Sequence, residues 1–242
     1  KMISKTDLIW DNLYQIFEKN KDLGIRYPSE ALVIYVSTLR KNKKSYFTDR
    51  GKEFSTNNNF NGKALEIGFG SIANLVMLHE KGFKCYGAEV SKEAVKRGRI
   101  SLKKKKLHKK ILLDEFHDEK LNYKHNSFDL VCGLQCIYYN LNLKKFMEEN
   151  IYKILKPGGK FIFSFFAKDH TYFEYTKKLG KNLACWSKNH PNKRLVGAKF
   201  YFTKNKKTLI NNFKIFKNVR LFSTKSDQTV FNESWWYVVG EK

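Results

Sequence analysis

A glycine-rich turn is the part of this sequence whose residue types point most directly to chemistry. The short apolar run Lys63–Ile67 leads into Gly68–Ala73, which fits the pattern G-x-G-x-x-[GA]. Glycine lets the backbone approach a ligand closely, and a helix that starts after the turn would direct its free N–H groups at the same crevice. The turn alone leaves two interpretations open, a nucleotide-binding site or a tight joint between a strand and a helix.

Two carboxylates near the turn narrow the choice of ligand. Glu66 lies just before Gly68, where it would repel a pyrophosphate but suits the ammonium group of a methionine moiety. Glu89 ends the next predicted strand, a place from which a carboxylate can accept hydrogen bonds from both ribose hydroxyls. Together they favour a nucleoside ligand with an amino-acid group over a dinucleotide.

The rest of the chain predicts the framework that would hold this turn. Apolar runs predict strands at residues 63–67, 83–90, 111–113, 128–134, 160–166, 216–222 and 235–240. Helical periodicity predicts helices at residues 6–17, 28–39, 71–81, 91–103, 143–155 and 203–213. Strands that alternate with helices favour a parallel sheet with right-handed crossovers, and the last two strands favour an antiparallel hairpin.

Four segments, in this order, resemble the motifs of class I methyltransferases that use S-adenosylmethionine (SAM). They are Leu65–Gly70, Tyr86–Ser91, Asn126–Val131 and Leu155–Phe161. The resemblance covers roughly residues 60–242. It implies SAM as the cofactor and an α/β, Rossmann-like fold. That fold is a seven-stranded, mostly parallel sheet with an antiparallel C-terminal hairpin, helices on both faces and an N-terminal helical cap.

The resemblance also implies a set of cofactor-binding residues. Those expected to bind SAM are Tyr27, Glu66, Gly68, Phe69, Gly70, Glu89, Val90, His117, Asp118, Leu134 and Gln135. Arg26 is expected to pair with the cofactor carboxylate, with an exposed Arg in a helix-cap region as the alternative. The sequence departs from the family pattern at Ile72, where many members carry a third glycine. It also has His117 where the acid after the third strand is usual, so that Asp118 is expected to contact the adenine, with a solvated loop acid as the alternative.

On the acceptor side, the resemblance implies transfer of the sulfonium methyl group to a nucleophilic O or N atom. The candidate catalytic residues are Tyr139, after the fourth strand, and His170 and His190, in the long connection that follows the fifth. A structural or surface role is the alternative for both histidines. The fourth strand lacks the motif [DN]-P-P-[YFW] of enzymes that methylate exocyclic amines of bases. No metal site is expected, because the cysteines and histidines lack ligand spacing.

The predicted organisation is a helical cap and linker at residues 1–60, followed by a methyltransferase core at residues 61–242. An acceptor-side insert is expected at about residues 167–200, since this connection is longer than usual. The residues between 41 and 62 are polar and irregular, which indicates a linker. The two helices before it are expected to form a lid over the site, with an ordinary packing layer as the alternative.

Composition bears on the partners of the protein. The net charge of +24 is compatible with nucleic acid, but only seven of the 47 basic residues are Arg, the residue best suited to phosphate and guanine contacts. A small-molecule acceptor is therefore expected, and a nucleic-acid partner stays open but is not favoured. No apolar run could span a membrane, no export signal is recognisable, and the four cysteines suit a reducing compartment. These features predict a cytoplasmic protein and leave its oligomeric state open.

Three other functions remain as alternatives. An RNA or protein methyltransferase would use the basic surface. A non-catalytic module would keep the fold and bind a partner. A nicotinamide oxidoreductase would use the same glycine-rich turn, although Glu66 argues against it.

Overall fold

The computed structural model describes residues 5–19, 27–39, 60–117, 120–227 and 232–242. Arg26, Asp118 and most of the predicted linker lie outside these ranges, so their predicted roles stay predictions. Within them, the strands form a seven-stranded sheet and a separate three-stranded sheet. The large sheet carries the glycine-rich turn, and the small sheet lies in the predicted insert.

The large sheet has the predicted parallel architecture. Its strands are β1 (Lys63–Ile67), β2 (Lys84–Glu89), β3 (Ile111–Glu115), β4 (Phe128–Gly133), β5 (Leu155–Phe166), β9 (Lys217–Asp227) and β10 (Asn232–Glu241). They lie in the order β3-β2-β1-β4-β5-β10-β9, in which β10 pairs antiparallel with both β5 and β9 and the other neighbouring strands are parallel. This order confirms the predicted mostly parallel sheet with its antiparallel C-terminal hairpin.

The middle of this sheet is covered on both faces. Every residue of β1 except Lys63 is buried, which is the pattern of a parallel strand between two helical layers. The connecting helices are α3 (Ala73–Glu80), α4 (Lys92–Lys104), α5 (Leu143–Phe146), α6 (Tyr152–Ile154) and α7 (Lys206–Ile210), and a π-helical stretch, Met147–Ile151, joins α5 to α6. Because β1 pairs with β2 on one side and β4 on the other, the strand order reverses there and a crevice opens beyond their carboxyl ends.

Two helices precede the sheet. The first, α1 (Lys5–Lys19), is tied to the start of α4, because Asp11 Oδ1 accepts hydrogen bonds from Ser91 Oγ and from the Glu93 amide, both at 2.9 Å. The second, α2 (Glu30–Thr38), begins two residues after the Pro28 that was predicted to open it, with Ser29 as its N-cap. Both helices therefore dock on the sheet domain.

The predicted insert contains a small sheet that the sequence did not predict. Its strands are β6 (Thr176–Gly180), β7 (Leu183–Trp186) and β8 (Lys199–Tyr201), all antiparallel. Trp186 is buried at its end, with its ring 4.2 Å from that of Phe200 and 5.5 Å from that of Phe166. Aromatic packing, rather than a clear alternation of apolar residues, holds these short strands. The division into a cap at 1–60 and a core at 61–242 stays a prediction.

Candidate active site

The glycine-rich turn adopts a backbone that only glycine accommodates easily. Gly68 and Gly70 have positive φ angles of 65° and 47°. The Gly68 amide donates to the Ala88 carbonyl at 2.7 Å, which fastens the turn to β2. A Cβ at position 68 would lie 2.6 Å from Cβ and Sγ of Cys136, so there is also no room for a side chain. The turn thus presents bare backbone to the crevice.

We expect Gly68→Ala to destabilise the protein by about 2–4 kcal/mol, since it adds steric overlap to an unfavourable φ. Gly158→Ala is a matched control, because Gly158 has a φ of 72° but a Cβ there would meet no other atom within 4 Å. That variant should lose only about 1–2 kcal/mol, the contribution of the backbone alone. Urea unfolding measures both free energies. Equal losses in the two variants would show that the contact with Cys136 has no energetic weight.

Glu89 lies beside the turn and is held there by backbone groups. It is buried at the end of β2, where its Oε1 accepts from the Val90 amide at 2.9 Å and from the Ser91 amide at 3.4 Å. Its Oε2 accepts from the Gly70 amide at 3.1 Å. The structure therefore brings three of the predicted cofactor-binding positions, Gly70, Glu89 and Val90, into one hydrogen-bonded group.

Glu66 is a buried residue of this crevice with one hydrogen-bonded carboxyl oxygen and one unpartnered carboxyl oxygen among the described residues. It is 2% exposed, its Oε1 accepts from Asn74 Nδ2 at 2.6 Å, and its Oε2 has no hydrogen-bond partner among the described residues. Burial raises the pKa of Glu66 to about 8; the bond from Asn74 opposes this rise, and the charge of Glu89 adds to it. At neutral pH the carboxyl group is therefore mostly protonated, and no described residue pairs with it as a cation.

The segment beyond β3 reaches the crevice through its backbone. The Phe116 amide donates to the Glu89 carbonyl at 3.1 Å, so this segment runs past the end of β2. His117 pairs through Nε2 with Glu115 Oε1 at 2.7 Å, while its buried Nδ1 has no partner in the described part of the chain. The structure places His117 near the crevice and describes nothing of Asp118.

The segment after β4 forms the opposite wall of the crevice. Gln135 has a positive φ of 58°, and its amide donates to Ser164 Oγ at 2.6 Å, which pins the chain where it leaves the strand. Leu134 is half-buried, and the Gln135 side chain is exposed. Tyr139, one turn later, accepts a hydrogen bond from Trp186 Nε1 at 3.1 Å. This bond joins the wall to the insert.

Helix α1 lies over both sides of the crevice, and sequence reasoning missed the residues that place it there. The Tyr14 hydroxyl lies so close to Gly70 that it leaves no room for a Cβ there, and Arg97 Nη1 donates to the Tyr14 carbonyl at 3.2 Å. The Trp10 ring packs edge-on against Tyr139, with centroids 5.3 Å apart. Trp10 and Tyr14 are four residues apart on one face of a predicted helix, and this spacing could have indicated that both contact the same surface.

The two candidate histidines are buried in the aromatic layer between β5 and the insert. His170 Nδ1 accepts from the Tyr172 amide at 3.1 Å, so its proton must be on Nε2, which has no partner within the described ranges. Burial lowers the pKa of His170 to about 4. His190 packs against Trp186 and Tyr172, and burial lowers its pKa as well. Both imidazoles are therefore neutral near pH 7 and lie between aromatic rings instead of in solvent.

Phe69 and Tyr27, two further predicted cofactor-binding residues, lie in different surroundings. Phe69 is buried between β2 and α4, where its ring packs against Gly87 and Gly98. It therefore supports the turn from behind. Tyr27 is 79% exposed. The structure therefore does not bring the Tyr27 side chain into the crevice. Nearby, the Ser29 amide is connected to the crevice by its hydrogen bond to Asn74.

Membrane-spanning helices and metal-ligand clusters are both absent from the described residues. No described helix has the length and apolar character needed to cross a membrane. No group of three His, Cys, Asp or Glu side chains in these ranges is arranged as metal ligands would be. The four cysteines are unpaired, and burial raises the pKa of Cys132 and of Cys136 well above the usual value for a thiol. These thiols are protonated at neutral pH.

One protein family model and several solved structures are similar to this chain. The family model described as a methyltransferase domain matches residues 65–163, which run from the glycine-rich turn to the middle of β5. A SAM-dependent methyltransferase from Methanosarcina mazei is 14% identical, with a TM-score of 0.61 over 75% of this chain and 92% of that one.

Two further solved structures cover nearly the whole chain. A possible histamine N-methyltransferase from Thermotoga maritima is 17% identical, with a TM-score of 0.61 over 97% of this chain and 99% of that one. Phosphoethanolamine N-methyltransferase 2 from Haemonchus contortus, solved with SAM, is 15% identical, with a TM-score of 0.65 over 100% of this chain and 60% of that one. At these identities the likeness is one of fold.

Proposed function

We propose that this chain, whose residues 65–163 match the family model of a methyltransferase domain, is a class I SAM-dependent methyltransferase that methylates an O or N atom of a small-molecule acceptor. The observation that carries the proposal is the cover over the crevice. Trp10 of α1 contacts Tyr139 of the wall, and Tyr139 contacts Trp186 of the insert, on the side of the crevice where the acceptor is expected. An aromatic-lined site suits a small ligand better than a polymer. The names of two structural neighbours refer to small amines, histamine and phosphoethanolamine.

The residues in the crevice fit the cofactor. The orphaned Oε2 of Glu66 is a suitable partner for an ammonium group, and Glu89 is a suitable acceptor for ribose hydroxyls. We assign the remaining contacts to Gly68, Gly70, Val90, His117, Asp118, Leu134 and Gln135. Phe69 supports the turn from behind, and the exposed Tyr27 side chain does not reach the crevice. When bound, SAM supplies an activated methyl group on a sulfonium centre, and the protein supplies position and field.

The acceptor-side residues would orient the acceptor instead of taking its proton. The pKa of Tyr139 is raised by burial, so its phenol stays neutral, and His170 offers an N–H at Nε2 to an acceptor oxygen. His190 lies on the other side of Tyr172 and is also neutral. Because the lowered pKa values of His170 and His190 make both imidazoles weak bases, the best acceptor is one whose lone pair is available at neutral pH.

The competing function is methylation of RNA or protein, which the net charge of +24 favours. The test is S-adenosylhomocysteine formation from SAM with a panel of small amines and alcohols, with and without added RNA or protein, at low and high salt. We expect turnover with a small acceptor that RNA does not stimulate. Turnover that needs RNA and falls steeply with salt would contradict the proposal and support the alternative.

A further inference from the structure

Two hydrogen bonds connect the chain just before α2 to the buried Glu66. The Ser29 amide donates to Asn74 Oδ1 at 2.8 Å, and Asn74 Nδ2 donates to Glu66 Oε1 at 2.6 Å. The orientation of the Asn74 amide follows from its partners, because the reverse orientation would place two N–H donors face to face at Ser29. The Asn74 side chain is thus fixed at both ends.

This arrangement leaves one oxygen of Glu66 available. Oε1 is occupied by Asn74, and the buried Oε2 has no partner in the parts of the chain that the structure describes. Because Asn74 lies in the first turn of α3, directly after the glycine-rich turn, it also fixes the rotation of the Glu66 carboxyl relative to that turn. The free oxygen therefore has one defined direction.

We propose that Asn74 is a positioning residue for the cofactor's ammonium group, and that through it the Ser29 backbone is part of that site. The inference rests on the proposed role of Glu66. Docking of the segment before α2 and binding of the ammonium group are coupled, since both depend on the same side-chain amide. Residues before α2 therefore influence the affinity for the cofactor without touching it.

The charges around Glu66 show why Asn74 matters. The other titratable groups that face Glu66 are Glu89 and Cys85 on β2, Cys132 on β4, Cys136 after β4, and Tyr14 on α1. These groups are acidic or neutral. In the described ranges, the bond from Asn74 is the interaction that favours the ionised carboxylate, which an ammonium ligand requires.

A single substitution can remove the Ser29 N–H alone from this chain of bonds. Ser29→Pro deletes the donor, and the φ of −63° at this N-cap already suits proline. The matched control is Ser29→Ala, which keeps the N–H but removes the hydroxyl group that contacts Tyr237. Asn74→Ala removes both bonds together.

Calorimetry with two ligands tests the coupling. S-adenosylhomocysteine carries the amino-acid group, and 5′-methylthioadenosine has the same nucleoside without it. We expect Ser29→Pro and Asn74→Ala to bind S-adenosylhomocysteine about tenfold more weakly at neutral pH, with 5′-methylthioadenosine bound within about twofold of wild type. The pH at which S-adenosylhomocysteine binding reaches half of its full strength should also rise in both variants, whereas Ser29→Ala should match wild type.

Each contrary outcome has its own meaning. Equal weakening of both ligands would show that the substitutions only disturb the fold and would overturn the inference. Unchanged binding of S-adenosylhomocysteine, or the same loss in Ser29→Ala, would overturn it too. Glu66→Gln separates this inference from the proposed function: if that variant binds both ligands normally, the proposed ammonium site itself is wrong.

Discussion

Glu66→Gln is expected to stabilise the ligand-free protein above neutral pH while weakening its affinity for the cofactor. Burial raises the pKa of Glu66 from its ordinary value of 4.5 to about 8, so the folded protein retains a proton that the unfolded chain releases. Wild type therefore loses stability as the pH rises from about 4.5 to about 8, and none of this loss occurs with glutamine. Above that window the variant should be more stable by about 2–4 kcal/mol.

Unfolding in urea near pH 5 and near pH 8.5 measures this difference. The control is Glu80→Gln at the end of α3, where the side chain is exposed and the substitution should change stability by less than about 0.5 kcal/mol at either pH. A gap between Glu66→Gln and wild type that is the same at both pH values would show that Glu66 is ionised throughout.

The same variant should bind S-adenosylhomocysteine about 10–100-fold more weakly, because an amide cannot form an ion pair with an ammonium group. In wild type near pH 7, the ligand must displace the proton of Glu66. Calorimetry in two buffers of different ionisation enthalpy should then report release of about one proton on binding, and none for Glu66→Gln. Opposite effects on stability and affinity are expected of a residue kept for function at the expense of the fold.

Glu89→Ala is expected to weaken both the cofactor complex and the fold. The loss of the ribose contacts should reduce the affinity for S-adenosylhomocysteine by about 1–3 kcal/mol, which is roughly 5–150-fold. The substitution also removes the acceptor of the Gly70, Val90 and Ser91 amides, two of which bond to Oε1 and one to Oε2. We expect a further loss of about 2–3 kcal/mol in the free energy of unfolding, unless water replaces the carboxylate.

Titration calorimetry and urea unfolding measure these two losses separately. Glu148→Ala serves as the control, since this half-exposed glutamate makes a 3.7 Å contact with Lys144 on the helix surface. It should leave the affinity unchanged and alter stability by less than about 0.5 kcal/mol. An unchanged affinity in Glu89→Ala would refute the assignment of the ribose site.

Local patterns in the sequence were sufficient to predict the order of the strands of the large sheet and of the helices between them, but not the small sheet of the insert. Glycines at 68 and 70 predict a turn because that backbone requires them. Serine is a favoured helix cap, and Ser91, the first residue of the predicted helix 91–103, does accept from the Ala94 amide through its side chain. The boundaries were less accurate: α3 begins two residues later than predicted, and β3 extends to Glu115. These features depend on residues that are close together in the chain, which explains why a sequence can show them.

Features that depend on residues distant in the chain were not visible. No local pattern relates Ser29 to Asn74, or Tyr14 to Gly70, because docking of the N-terminal helices brings them together. His170 and His190 were candidate bases because histidine titrates near neutral pH, and only their burial among aromatic rings makes them neutral. The residue types around the glycine turn thus indicate the cofactor from the sequence alone. The tertiary structure decides which oxygen of Glu66 has no hydrogen-bond partner among the described residues, since burial and hydrogen bonding are properties of the folded molecule.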